Sequence, residues 1–347
     1  MKLFAHSTKD IYLIILALFE VALLVYSSVS YGHLPSSMTL GCGAVLVFLI
    51  CTNFQCTAHN FLHNPFFISN RLNHVFSIIN TLGIGVPQSL YRVHHLHHHK
   101  YNNDAKDPVT GTTKDRTSTY RYARKPGQEE HIISYAFLGF FRSSFSFMLQ
   151  EANKRGLIGL VVVETCALGF FVVLLFVLNW KGVLYFFLPV WYLGQCAAQA
   201  ENYLEHHGAI PGNRLTDSVS CYNTFYNAIW FNNGYHQEHH YRPQVHWTMI
   251  PAVQSLMHPA SERRIVCGTH WFNFNPPPRH MYVRHTTSHG QTTGSAQFLA
   301  VCRRSKWSKY VTNAPRLALL AMAGSRAACK ISSACSHALR YRKFRRN

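Results

Sequence analysis

Four apolar runs, broken by no charge other than Glu20 and Glu164, dominate this chain, and each of the two that end in aqueous-looking sequence ends in histidines. The runs cover about residues 11–31, 38–58, 157–179 and 182–200. Each is close to the roughly 20 residues an α-helix needs to cross a hydrocarbon core. Backbone polar groups have no water to bond in that core, so segments like these must be helical. The composition agrees. Of the 347 residues 48% are hydrophobic and only 14% charged, against about 25% charged in soluble domains. The expected fold is therefore all-α and integral to a membrane, with four transmembrane helices.

Short turns at 32–37 and 179–182 pair the runs into two helical hairpins. The segment between the hairpins carries many cations, including Arg71, Arg92, Lys100, Arg121, Arg124, Lys125, Lys154 and Arg155, whereas the turn at 32–37 has no Lys or Arg. Positive charge favours the cytoplasmic side, so both termini and the histidine clusters are expected there. Two less apolar stretches, 66–90 and 132–150, read as helices lying in the interface rather than as further spans. The first run follows Lys2 but is interrupted by Glu20 and lacks a small-residue cleavage site, so it reads as a retained helix.

The formal charge of +19 is uneven. From Arg263 to Asn347 there is no Asp or Glu, and the chain closes on a run of arginines. We expect a membrane domain over 1–260 and a basic, poorly ordered tail over 261–347 of unknown role, its charge compatible with contact to anionic lipid. So localised a charge excludes a uniform nucleic-acid surface, and no nucleic-acid partner is expected. The ten cysteines include no CxxC pair and suit small buried hydrophobes better than a disulfide framework or an iron–sulfur ligand set.

Histidine then narrows the function. His59 and His63 stand four apart at the end of the second run. Within His94-His95-Leu96-His97-His98-His99, two overlapping triplets, His94/His97/His98 and His95/His98/His99, both have the i, i+3, i+4 spacing of one helical face. Asn202 and His206 are four apart at the end of the fourth run, and His236, His239 and His240 repeat the triplet. Neutral imidazole is the commonest metal ligand in proteins. Nine such nitrogens are too many for a four-coordinate zinc but suit two ions with positions to spare. Asn202 is expected to act through a metal-bound water, a role behind the ligands themselves. For Glu201 and Glu205 a solvated or structural role is at least as well supported as ligation. Imidazole accepts iron, copper, zinc and nickel alike, so spacing does not choose the metal.

The run Tyr91-Arg92-Val93-His94-His95-Leu96-His97-His98-His99-Lys100-Tyr101-Asn102-Asn103 resembles the second histidine box of membrane fatty acid desaturases, with Tyr91 in place of Trp and Asn102 in place of Thr. Asn233-Gly234-Tyr235-His236-Gln237-Glu238-His239-His240-Tyr241-Arg242-Pro243 resembles their last box, in its sphingolipid-type form. The phrase Asn202-Tyr203-Leu204-Glu205-His206 is also similar to a box of membrane alkane hydroxylases. The resemblance spans about residues 10–260 and, by aligning Arg92 and Asn103, selects His95, His98 and His99. It implies a non-haem di-iron centre with His59, His63, His95, His98, His99, His206, His236, His239 and His240 as ligands and Asn202 acting through water.

It further implies dioxygen as co-substrate and desaturation of a fatty acyl or lipid chain, with hydroxylation or oxidative decarboxylation as the alternative. A histidine-rich metal transporter is the non-enzyme alternative, but transporters place their ionisable ligands near the bilayer midplane. With no ferredoxin-like cysteine run, haem motif or GxGxxG fingerprint in the sequence, electrons are expected from an external ferredoxin or small cytochrome with its reductase, docking on the basic loop around Arg121, Arg124 and Lys125.

Overall fold

The computed structural model describes residues 2–125 and 127–274, and these are mostly helical. The long helices are α1 (Asp10–Val29), α2 (Ser36–Thr52), α8 (Ile158–Gly182) and α9 (Leu188–His206). Between them lie α3 (His59–His63), α4 (Asn70–Ile84), α5 (Gln88–Tyr101), α6 (Ile132–Leu138) and α7 (Phe145–Lys154); α10 (Thr224–Ile229) and α11 (His236–Tyr241) follow. Two parallel two-residue strands, β1 (Ser220–Cys221) and β2 (Ile265–Val266), pair Ser220 with Ile265 and Cys221 with Val266.

Three helical stretches among the described residues are long and apolar enough to cross a membrane: Asp10–Val29, Ser36–His63 and Ile158–His206. This differs from the four separate runs of the sequence. The third and fourth runs fall in one 49-residue stretch, because a π-helical segment, Val183–Phe187, joins α8 to α9 without a turn. The stretch is broken at Asn179, whose φ and ψ of −158° and 88° are not helical. Its side chain stabilises the break: Oδ1 accepts from Gly182 N at 3.0 Å, while Nδ2 donates to the carbonyls of Val29 and Tyr31. Gly182 permits the contact, since a Cβ there would lie 1.9 Å from Ser28 O.

The stretches are apolar outside and polar in places inside. Phe170, Val173 and Val177 are exposed, while Glu20, Ser27, Ser28 and Asn53 are buried. Asn53 donates to Glu20 at 2.7 Å and to Asn80 at 2.9 Å, tying α1, α2 and α4 together. Between α2 and α3 lies a π-helical turn, Asn53–Ala58, a geometry that loosens the usual ladder and recurs at functional sites. Neighbouring side chains meet its carbonyls: Tyr91 OH donates to Phe54 O, and Gln88 Nε2 to Ala58 O. Glu164 of α8 accepts from the Ser89 backbone N–H at 2.9 Å and from the Ser89 and Ser77 hydroxyls. An anion at a helix N-terminus is favourable, and this one fixes the start of α5.

Residues just past 260, which the sequence reading assigned to the tail, pack against the body. Arg263 is buried and donates to Gln237 and Glu238 of α11. Asn273 Nδ2 donates to the Leu204 and His207 carbonyls at the end of α9. The tail from 275 onward lies outside the described residues.

Candidate metal centre

Four helical segments deliver the histidines to one place. On α3, His59 and His63 project from one face, a turn apart. On α5, His95, His98 and His99 are buried, whereas His94 and His97 sit at partly exposed positions and His97 Nε2 lies 3.0 Å from Lys114 O. His206 ends α9, and His236, His239 and His240 lie on α11. The nine gather into two neighbouring groups: His59, His63, His95, His99 and His239 in one, His98, His206 and His240 in the other, with His236 beside the second.

The nitrogens converge. His59 Nε2 lies 2.7 Å from His239 Nε2, which is 3.0 Å from His99 Nε2, itself 2.8 Å from His95 Nε2. In the second group His206 Nε2 is 3.0 Å from His98 Nε2 and 3.3 Å from His236 Nε2. Burial holds His95, His99, His236, His239 and His240 well below the ordinary imidazole pKa, so these rings are neutral and carry lone pairs. A neutral ring has one N–H, so a knot of mutually facing Nε2 atoms cannot satisfy itself with protons. Both ring nitrogens of His63 and of His240 are buried without a hydrogen-bond partner, which carries a penalty of about 1–3 kcal/mol each. Two ligands about 2.1 Å from one metal and at right angles stand about 3 Å apart. The spacing, the orphaned nitrogens and the donor chemistry fit a metal ion in each group.

The rear nitrogens are fixed. His59 Nδ1–H donates to Gln55 O at 2.9 Å, His206 Nδ1–H to Asp217 O at 3.1 Å, and His98 Nδ1–H to Asp115 Oδ2 at 2.8 Å. Such partners set the tautomer and aim Nε2 forward. Asp115 also accepts from the backbone N–H groups of Asn103 and Thr117 and from the Thr117 hydroxyl. Burial opposes its ionisation, yet the neighbouring His98 and these hydrogen bonds hold its carboxyl below the usual range.

Asn202 is in neither histidine group. It lines a cavity of about 110 Å³ beside His98 and His236, and its Nδ2 donates to Tyr135 OH at 2.7 Å. The same cavity is walled by Phe54, Leu90, Phe145 and Met148 and reaches His95. An apolar slot ending at the histidines suits an alkyl chain.

Sequence reasoning missed Asp115, which sits in a loop with no spacing signal. Glu201 and Glu205, for which the sequence left a solvated or structural role and ligation both open, are fully buried and form a third group with His270. The signal available was their four-residue spacing, which puts both on one face of α9.

A largely buried cluster of nine imidazoles at the ends of apolar helices marks a membrane protein with side chains able to hold metal. The sequence model of the fatty acid desaturase family matches residues 35–271, and the chain belongs to that family of membrane oxidoreductases. It is similar to the sphingolipid delta(4)-desaturase of Candida albicans, with 27% identity over 62% of this chain and 63% of the relative. The protein of that name from Schizosaccharomyces pombe is 24% identical over 59% of this chain and 57% of its own length. Sphingolipid delta(4)-desaturase DES1 of Drosophila melanogaster is 24% identical over 60% and 63%. The chain thus spans about three fifths of the length of these relatives.

Proposed function

We propose that the protein desaturates a lipid acyl or sphingoid chain with dioxygen at a di-iron centre. One ion is assigned to His59, His63, His95, His99 and His239, the other to His98, His206, His236 and His240, with Asn202 acting through water. The observation that carries the reading is the convergence of nine imidazoles from four separate segments on the end of an apolar slot. When bound, the iron pair supplies dioxygen activation and abstraction of hydrogen from an unactivated methylene. Overall, one CH2–CH2 unit, dioxygen, two electrons and two protons give one CH=CH unit and two waters. The electrons come from an external ferredoxin or small cytochrome with its reductase.

The residues of the chain do the positioning. Phe54, Leu90, Phe145 and Met148 hold the alkyl segment and keep bulk water from it, while Gln55, Gln199 and Asn202 provide the polar contacts. Asp115, Gln55 O and Asp217 O hold three rings against rotation. The names of the relatives support a sphingolipid as substrate.

The proposed topology has four spans in two hairpins, with termini and histidines cytoplasmic. Its support is that a 49-residue helical stretch would extend about 74 Å at 1.5 Å per residue, over twice the roughly 30 Å core, and that it breaks at Asn179. The membrane domain takes in at least residues up to Asn273, whose side chain packs on the end of α9, with the basic tail C-terminal to it.

The test is a lipid profile by gas chromatography–mass spectrometry of cells expressing the chain against cells expressing His239→Ala. A new unsaturated species, absent with the variant, is expected. A hydroxylated or terminal-alkene product would replace desaturation by the alternative that the Asn-Tyr-Leu-Glu-His phrase suggests, and no product in well-expressing cells would refute both.

A further inference from the structure

We infer that Glu205 is a tenth protein ligand, binding the metal of the four-histidine group through Oε2, so that the two metal positions differ in ligand charge as well as in histidine count. The inference rests on the metal assignment proposed above. Glu205 is fully buried. Its Oε1 accepts from Asn233 Nδ2 at 2.6 Å and lies 3.6 Å from His270 Nδ1, whereas Oε2 is buried with no hydrogen-bond partner. That free oxygen is 3.7 Å from His236 Nε2.

The side of the ring matters. A carboxylate that merely orients a ligand sits behind it, as Asp115 does at His98 Nδ1. Glu205 faces His236 Nε2, the nitrogen that points at His206 Nε2, so it stands on the side where the metal would be. His236 Nδ1, at the rear, has no hydrogen-bond partner.

Charge points the same way. The buried Glu238 is paired with Arg263, and Glu130 with Arg142. Glu205 has no Lys or Arg partner among the described residues, its ion-pair contacts being His236 and His270. A buried carboxylate without a counter-charge is costly, and four imidazole ligands bring no negative charge to a divalent cation. Each defect cures the other: the ionised carboxylate donates a lone pair to the cation and no electron is transferred. Glu201 does not compete for the role, because Tyr226 OH donates to its Oε1 and Cys51 Sγ to its Oε2. The five-histidine group contains no carboxylate.

The experiment uses the full chain, purified in detergent after growth on 57Fe, with iron content and Mössbauer spectra measured for wild type, Glu205→Gln and Glu201→Gln. Glutamine keeps the volume and an acceptor for Asn233 but turns an amide toward the metal. We expect two inequivalent iron signals in the wild type and an unchanged pair in Glu201→Gln. In Glu205→Gln one signal should shift, and its iron should be removed by chelator at least tenfold more readily. Two irons with the wild-type spectrum in Glu205→Gln would overturn the inference. If that variant fails to fold, Glu205→Asp, with the carboxylate drawn back by one methylene, must shift the same single signal, and an unshifted spectrum there is equally fatal. A wild type that binds no iron would overturn the metal assignment itself, a failure distinguishable from either result.

Discussion

At the scale of single residues, the centre is a problem of aiming lone pairs. Burial holds His95, His99, His236, His239 and His240 below the ordinary imidazole pKa, but that alone does not decide which nitrogen faces inward. That is set by hydrogen bonds at the rear, and the His98–Asp115 pair is the clearest case. Replacing Asp115 with Asn removes the acceptor charge while keeping the shape. We expect iron affinity to fall by about 10–100-fold, the usual effect of losing such a partner, read by competition with a chelator, with the fold retained by circular dichroism. Unchanged affinity would mean that Asp115 is only a loop anchor. The sequence carried the histidines plainly, because i, i+3, i+4 spacing survives any fold. It did not choose between the two overlapping triplets on α5, since both have that spacing; the choice depends on which face of α5 turns inward. Asp115 was invisible for a related reason: it is 17 residues from His98 and meets it only after the loop has folded back.

At the scale of elements, two irregularities shape the site. The π-helical turn before His59 lets Gln55 O meet His59 Nδ1 while Tyr91 and Gln88 take neighbouring carbonyls. The break at Asn179 holds α8 against the end of α1. Gly182→Ala should be severe, because its Cβ would overlap Ser28 O at 1.9 Å; we expect a loss of about 1–3 kcal/mol, the usual range for forced overpacking, seen as a lower unfolding midpoint in detergent. Asn179→Ala should also lower it, by removing one bond to the last residue of α1, one to Tyr31 just beyond it, and the cap on Gly182 N. Apolar periodicity located these helices well. It could not reveal that a π-helical segment fuses the last two into one stretch, since hydropathy marks where a chain is apolar and not where its hydrogen bonds change partners.

At the scale of the whole described body, residues 2–125 and 127–274, apolar helix faces lie outside a largely buried knot of histidines. The segment 263–273 helps close that knot, and it looked like tail because its basic, acid-free composition continues unbroken to the end of the chain. Arg263 reads as tail charge until Glu238 is found beside it. A metal that binds only the folded state stabilises it by mass action, about 4 kcal/mol at a thousandfold excess over the dissociation constant. Stripping the protein with a strong chelator should therefore lower its melting temperature, and adding iron back should restore it. No change on stripping would leave the orphaned nitrogens of His63 and His240 without the partner assigned to them. The most direct test of the account is the metal content of the purified full chain, measured for all first-row metals alongside His63→Ala and His240→Ala. The account predicts two irons per chain in the wild type and loss of metal from one group in each variant. Zinc in place of iron, or a wild-type content that neither substitution lowers, would contradict it.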